Sequence, residues 1–358
     1  MKFMIIAAKF GSGHLSVSET IKKQGSKDDI FDIVVSSSFK FEKPTTKLSL
    51  FMFNNVVSKY TKDGLVKTTY DISYNLGRNH KVLYYSQKND GRMRTTYLLK
   101  KERPDVIIET FPHLIKNTRG ALRCCVITDY TFAKVYIAEN DEGAIYCVPA
   151  PFVKEEAVEK YGVDPNDVFV TGIPVRNEFI KENTKTSCKK ILITLGARGQ
   201  ISKKDVDKLI QISLDNNLEV KVVCGKNEKI YDHLKDREDI EVYGYINNMY
   251  ELYQEVDLVI TKSGGISISE CICSEKPMII NIDQSMSGQE KKNQEYIKKH
   301  GLGLCEKMKN IDEAIIKFAT DDEFYQEVKE NIKIAKKENY QHRVLDVIKE
   351  RVKKKELA

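Results

Sequence analysis

The chain alternates short apolar runs with longer amphipathic stretches almost throughout, and that alternation leaves few folds open. In the first half the runs "FMIIAA", "FDIVVS", "DVIIET", "CCVIT", "AIYCVP" and "VFVTG" are apolar at successive positions rather than at every second one. Such a strand needs cover on both faces, the environment of a parallel sheet sandwiched by helices. After Gly172 the pattern restarts with "KKILITLG", "EVKVVCG", "IEVYGY", "VDLVIT" and "PMIINI". Helix-length segments lie between them, among them 202–216, 248–255 and 288–300. Strand and helix in turn make βαβ units, so the pattern predicts an α/β protein of two tandem, Rossmann-like, doubly wound domains.

With 358 residues, each domain is of ordinary size. The polar, turn-rich stretch "GIPVRNEFIKENTKTSCK", 172–188, marks the boundary. The first domain is placed at 1–175 and the second at 176–336. Residues 321–355 contain no Pro or Gly and read as charged terminal helices packed across the interdomain region. Of these, 337–358 is expected to cross back toward the first domain. Folds of this kind bind ligands beyond the carboxyl ends of their strands, so two facing domains imply a central cleft.

In the second domain, "VDLVITKSGGISISE" turns from a buried strand through Ser263, Gly264 and Gly265 directly into a helix. Glycines let a ligand approach the backbone, and the free N–H groups of a helix start favour phosphate. Glu270 follows one and a half turns later, where a carboxylate can accept both hydroxyls of a ribose whose phosphates rest on the helix tip. The competing reading is a plain turn with a surface glutamate. Other loops occupy the same position relative to their strands. "ITLGARGQ" offers Gly196, Arg198 and Gly199. "VVCGKN" offers Gly225 and Lys226, and "VYGYINNM" offers backbone groups near Ile246 to a base edge. "SMSGQEKKN" puts Gln289, Glu290 and Asn293 at a helix start, an amide and a carboxylate suited to vicinal sugar hydroxyls. Convergence of these loops on one rim says more than any one of them.

The first strand ends in "KFGSGH", a glycine turn with His14 beside it. A dinucleotide-binding reading finds Asp32 at the right distance, but Ser16 stands where the third glycine belongs. The remaining choices are a helix-capping or packing histidine and a catalytic one.

"DLVITKSGGISISE", "KPMII" and "SGQEKKN", with "TGIPVRNEF", "VVCGKN" and "GYINNMYEL" and, upstream, "PDVIIETFP" and "VITDY", follow an order that resembles the glycolipid-forming glycosyltransferases. These are the diacylglycerol glucosyltransferase and monogalactosyldiacylglycerol synthase family, relatives of the lipid-linked N-acetylglucosaminyltransferase of peptidoglycan synthesis. The resemblance covers nearly the whole chain. It implies a GT-B architecture, a UDP-sugar co-substrate (glucose ahead of galactose), a diacylglycerol-type acceptor, and neither a cofactor nor an obligatory metal. On it, Gly13 and the loop residues above bind the donor, Pro112, Asp129 and Tyr130 lie on the acceptor side, and His14 faces the anomeric carbon as general base. Imidazole titrates near neutrality, which suits removal of a proton from an attacking hydroxyl. His113 is a minor acceptor-side candidate, more readily structural. The chain departs from the family in "VITDYTFAKVY", with Ala133 and Tyr136 where relatives often carry His and Trp. That leaves open a UDP-N-acetylglucosamine donor, another lipid or polyprenyl acceptor, or a catalytically silent UDP-sugar sensor. An epimerase or hydrolase would have no use for a membrane face.

Charge points to that face. Between Lys40 and Arg123 stand 17 Lys/Arg against 7 Asp/Glu, a local balance of +10 in a chain of net charge +6. Lys40, Lys43, Lys47, Lys59, Lys62 and Lys67 are mixed with Leu48, Leu50, Phe51, Met52, Phe53, Val56 and Val57. This reads as an amphipathic segment for an anionic leaflet, or as a core helix with solvated lysines. No nucleic-acid-binding signature occurs. No apolar run reaches the roughly 18 residues of a membrane span. The start lacks a cleavage-site pattern, and no two of the 8 cysteines form a Cys-x-x-Cys pair. We therefore expect a peripheral protein on the cytoplasmic side of a membrane, with reduced core thiols.

Overall fold

The computed structural model describes residues 1–8, 13–36, 91–112, 118–137, 143–194, 201–282 and 288–357. The chain forms two compact units, one of Met1–Pro174, Met286–Gly288 and Tyr340–Ala358, the other of Val175–Ser285 and Gln289–Asn339. Among the described residues each unit holds one six-stranded parallel sheet.

In the first unit β1 (Lys2–Ala8), β2 (Ile30–Ser36), β3 (Val106–Glu109), β4 (Leu122–Val126), β5 (Ile145–Val148) and β6 (Val168–Val170) are ordered β2-β1-β3-β4-β5-β6. Phe3, Met4, Ile5, Ile6 and Ala7 are at most 1% exposed, so β1 is covered on both faces, as its unbroken apolar run requires. The order reverses between β1 and β3, and that switch point is where the helix Gly13–Gln24 begins. The helix Gly91–Glu102 contributes Leu99 to the core beside Met4, Ile6 and Ile107.

The helix Val344–Leu357 belongs to this first unit and buries Val344, Leu345, Val347 and Ile348. Lys349 Nζ reaches Asp29 Oδ2 at 2.7 Å, and Arg351 reaches Asp167 at 2.7 Å. Burial would raise the Asp29 carboxyl, but bonds from Lys349 and Ser26 outweigh it and hold the pKa at about 2. The pattern 321–355 is interrupted by a break at Tyr340, between the helices Asp322–Asn339 and Val344–Leu357. Tyr340 donates its hydroxyl to the Ile173 carbonyl at 3.1 Å and packs its ring against Gly172, which has φ +68°.

In the second unit β7 (Lys190–Thr194), β8 (Glu219–Val223), β9 (Glu241–Tyr243), β10 (Leu258–Thr261), β11 (Met278–Asn281) and β12 (Gly303–Glu306) are ordered β12-β11-β10-β7-β8-β9. This is the Rossmann arrangement, with its switch point between β7 and β10. β12 has no counterpart in the apolar-run pattern, because its Gly301 and Gly303 read as a turn. A Cβ on Gly303 would lie 2.0 Å from the Met278 carbonyl oxygen, so glycine is what allows β12 to pair against β11. The helices Lys203–Asp215, Met249–Glu255 and Gly288–Lys299 fall where the sequence placed them. None of the eight cysteines is in a disulfide, and all are buried. Among the described residues no helix is long and apolar enough to cross a membrane.

Candidate active site

His14 is the second residue of the helix at the first switch point. Its Nδ1 lies 2.6 Å from the carbonyl oxygen of Thr110, just past β3, and 3.4 Å from Thr128 Oγ1, just past β4. The Phe111 ring meets the imidazole edge-on at 5.3 Å. Thr110 Oγ1 donates to the His14 carbonyl at 3.2 Å, and Ser18 Oγ donates to the same carbonyl at 2.8 Å. Thr110 thus staples the helix start to the strand tip through both backbone and side chain. A carbonyl accepts, so Nδ1 carries the proton and Nε2 keeps the lone pair. Among the described residues no hydrogen-bond partner is found for Nε2. Burial pulls the imidazole pKa down to about 4 although the Thr110 bond opposes it, so the ring is neutral at physiological pH.

Asp129 is half-buried and follows Thr128 in the same turn, while Pro112 follows Phe111 and is buried. Tyr130 is 1% exposed, its ring in the core. Glu156 holds this turn by accepting from Phe132 N at 2.7 Å and Thr131 Oγ1 at 3.1 Å. Ala133 and Tyr136 are both buried, and the Tyr136 ring rests 5.8 Å from Phe132. The described residues therefore gather His14, Pro112 and Asp129 at the carboxyl ends of β1, β3 and β4.

In the second unit a row of contacts joins one strand-end loop to the next. Lys226, after β8, lies over the Tyr245 ring at 5.1 Å, after β9 and next to Ile246. Gly225 supports that loop with φ +62°. Arg176 donates to the Asn247 carbonyl at 2.6 Å and is also the charge that acts on Glu270. After β10, Lys262 pairs with Glu290 at 3.2 Å. Asn293 Nδ2 donates to the Ser263 carbonyl at 2.9 Å, and Gln294 Nε2 to Ser263 Oγ at 3.1 Å. Ser263 and Asn293 are fully buried and Gln289 is 7% exposed, so this side of the rim is rigidly backed.

The glycine turn is open. Gly264 has φ −75° and ψ 135°, allowed for any residue, and among the described residues a Cβ there would meet nothing nearer than Lys262 Nζ at 3.5 Å. Among the described residues neither backbone strain nor crowding calls for glycine, which makes this turn a candidate for close approach by a ligand. Behind it the helix Gly265–Cys273 begins without a side-chain cap, its first N–H groups available. Glu270 is half-buried. Burial raises its carboxyl pKa to about 7, and the Arg176 charge only partly opposes the rise.

Gly196, Arg198, Gly199, His113 and residues 40–90 of the basic segment lie outside the described residues. Thr110, Thr128, Arg176 and Lys262 were not singled out by motif. The available signal was their position, each one or a few residues past a strand end or domain boundary.

Two family models meet at the boundary between the units. Residues 14–175 match monogalactosyldiacylglycerol (MGDG) synthase, and residues 175–350 match the glycosyltransferase family 28 C-terminal domain. The processive diacylglycerol beta-glucosyltransferase of Bacillus cereus (strain G9842) is 31% identical over 338 residues, covering 85% of this chain and 81% of that protein. The chain belongs to the diacylglycerol glucosyltransferase and MGDG synthase family. The enzyme of the same name from Bacillus pumilus (strain SAFR-032) is 28% identical, over 93% of this chain and 90% of its own. Among solved structures, the glycosyltransferase SnogD from Streptomyces nogalater superposes with a TM-score of 0.61 at 13% identity, covering both chains in full. That likeness establishes the fold, GT-B. The chain is a glycosyltransferase of two Rossmann-like units, each with its candidate residues at a switch point.

Proposed function

We propose that this glycosyltransferase moves a glucosyl unit from a UDP-sugar to diacylglycerol, or to a glycosyldiacylglycerol, at a membrane surface. The acceptor hydroxyl oxygen attacks the anomeric carbon as its proton passes to His14 Nε2. The bond from that carbon to the diphosphate oxygen breaks, and its electron pair leaves with UDP. Attack from the face opposite the leaving group inverts the configuration. The observation that carries this reading is the commitment of His14 Nδ1 to the Thr110 carbonyl, which leaves Nε2 as the proton acceptor.

On the donor side, the helix-start N–H groups of Gly265, Ile266 and Ser267 receive the charge that develops on the diphosphate, while the Gly264 N–H is held by the Lys262 carbonyl at 2.9 Å. Gly196, Arg198 and Gly199 approach the same phosphates, with Gly13 near the sugar. Glu270 takes the ribose hydroxyls, backbone near Ile246 the uracil edge, and Gly225 and Lys226 close that side. Gln289, Glu290 and Asn293, backed by Ser263, hold the hexose hydroxyls. Pro112, Asp129 and the buried Tyr130 shape the acceptor side. The reaction needs no metal on this reading, because backbone dipoles and cations meet the leaving charge. Glucose is favoured because the Bacillus relatives are named glucosyltransferases. The +10 balance of residues 40–123 supports attachment to anionic lipid.

The test is UDP release from UDP-glucose, UDP-galactose and UDP-N-acetylglucosamine, with and without diacylglycerol vesicles, followed by mass spectrometry of the lipids. Release from UDP-glucose that depends on diacylglycerol, yielding hexosyl-diacylglycerol, is the expected result. Release indifferent to lipid would sink the assignment. A different lipid or polyprenyl acceptor is the second reading, favoured by the burial of Ala133 and Tyr136 where relatives often present His and Trp.

A further inference from the structure

Lys262 occupies an unusual place on the donor rim. Its ammonium is paired with Glu290 at 3.2 Å, yet its stem also runs over the open face of Gly264, within 3.5 Å (Nζ) and 3.7 Å (Cε) of where a Cβ would sit. The Lys262 side chain is 41% exposed and free to swing, while that of Glu290 is 14% exposed and held. Ser263 between them is fixed by Asn293 and Gln294, from the same helix as Glu290. One cation therefore stands between a carboxylate placed for sugar hydroxyls and the helix tip placed for phosphate.

We propose that Lys262 senses the diphosphate, and that its ion pair with Glu290 couples diphosphate binding to recognition of the hexose. The inference rests on the donor-site reading above. Without ligand, Lys262 neutralises Glu290. A diphosphate at Gly264 and Gly265 presents more negative charge than one carboxylate and draws the ammonium across. Glu290 is thereby released, fully charged, to accept hydroxyls of the sugar attached to that diphosphate. A carboxylate that turns competent only when the phosphates are seated would discriminate against free sugars.

Calorimetry on the full chain with UMP, UDP and UDP-glucose tests this as a double-mutant cycle. Lys262→Met is expected to weaken UDP binding about tenfold and UMP binding about twofold, with Lys262→Arg restoring most of the loss. Glu290→Gln is expected to tighten UDP several-fold in the wild-type background, by freeing Lys262, and to have no effect on UDP when Lys262 is Met. The same variant should lower the preference for UDP-glucose over UDP. Lys262→Gln replaces Lys262→Met if the latter does not fold. An unchanged UDP-to-UMP ratio in Lys262→Met, or a Glu290→Gln effect of equal size in both backgrounds, overturns the coupling. UDP affinity unaltered by Gly264→Ala would instead overturn the donor site itself.

Discussion

Replacing Glu270 by glutamine is expected to make the protein more stable and worse at holding nucleotide. Burial lifts this carboxyl from 4.5 to about 7 against the opposing charge of Arg176. A folded pKa above the unfolded one means the native state binds the proton more tightly. The penalty of keeping Glu270 ionised is thus small below the unfolded pKa, grows as pH rises toward 7, and is complete above it. At 1.36 kcal/mol per unit the shift corresponds to about 3 kcal/mol at pH 8 and under about 1 kcal/mol at pH 5. Partial exposure of the side chain trims the pH 8 figure to about 1–3 kcal/mol. Glutamine keeps the shape without the charge. The chain has no tryptophan, so urea unfolding is followed by far-UV circular dichroism rather than indole fluorescence. Glu270→Gln should gain stability at pH 8 and little at pH 5, while UDP affinity falls at least about tenfold through loss of charge-assisted bonds. The acid limb of kcat/KM for the donor, expected near 7 in the wild type, should disappear. A gain of equal size at both pH values, or unaltered UDP affinity, would refute the reasoning.

Other substitutions probe separate parts of the molecule. His14→Ala should keep UDP affinity and lose about 1–2 kcal/mol with the Thr110 bond, while turnover falls by about 10²–10⁴, the usual worth of a general base; near-full turnover by the glycolipid assay removes that role. Gly264→Ala should leave stability within about 0.5 kcal/mol, since the conformation and space are both permissive, yet cut UDP binding at least about tenfold in calorimetry. Gly172→Ala meets both a left-handed φ and the Tyr340 ring at 2.3 Å, and should cost the first unit about 2–4 kcal/mol in urea unfolding.

The sequence made the sheets legible because both-face burial writes itself as unbroken apolar runs, as in β1 and β10. It hid β12, where Gly303 exists to let a neighbouring carbonyl pass and therefore reads as a turn. The strand-to-helix junction at Gly264 and Gly265 was readable because a glycine pair after an unbroken apolar run punctuates the chain. Arg176 and Thr110 were not, since what distinguishes them is tertiary. Arg176 matters through Asn247, 71 positions away, and Thr110 through His14, 96 positions away. Periodicity likewise ran straight through 321–355, because the break at Tyr340 is imposed by docking on Gly172 and Ile173 rather than by any helix-breaking residue.

Lys349 and Asp29 meet across 320 positions, so the first unit is completed by a helix translated only after the second unit. On the ribosome, the second unit can reach its native state before that helix emerges, whereas the first must wait for it. A nascent chain arrested before residue 344 should thus expose the β1–β6 sheet to chaperones and proteases while β7–β12 resists them.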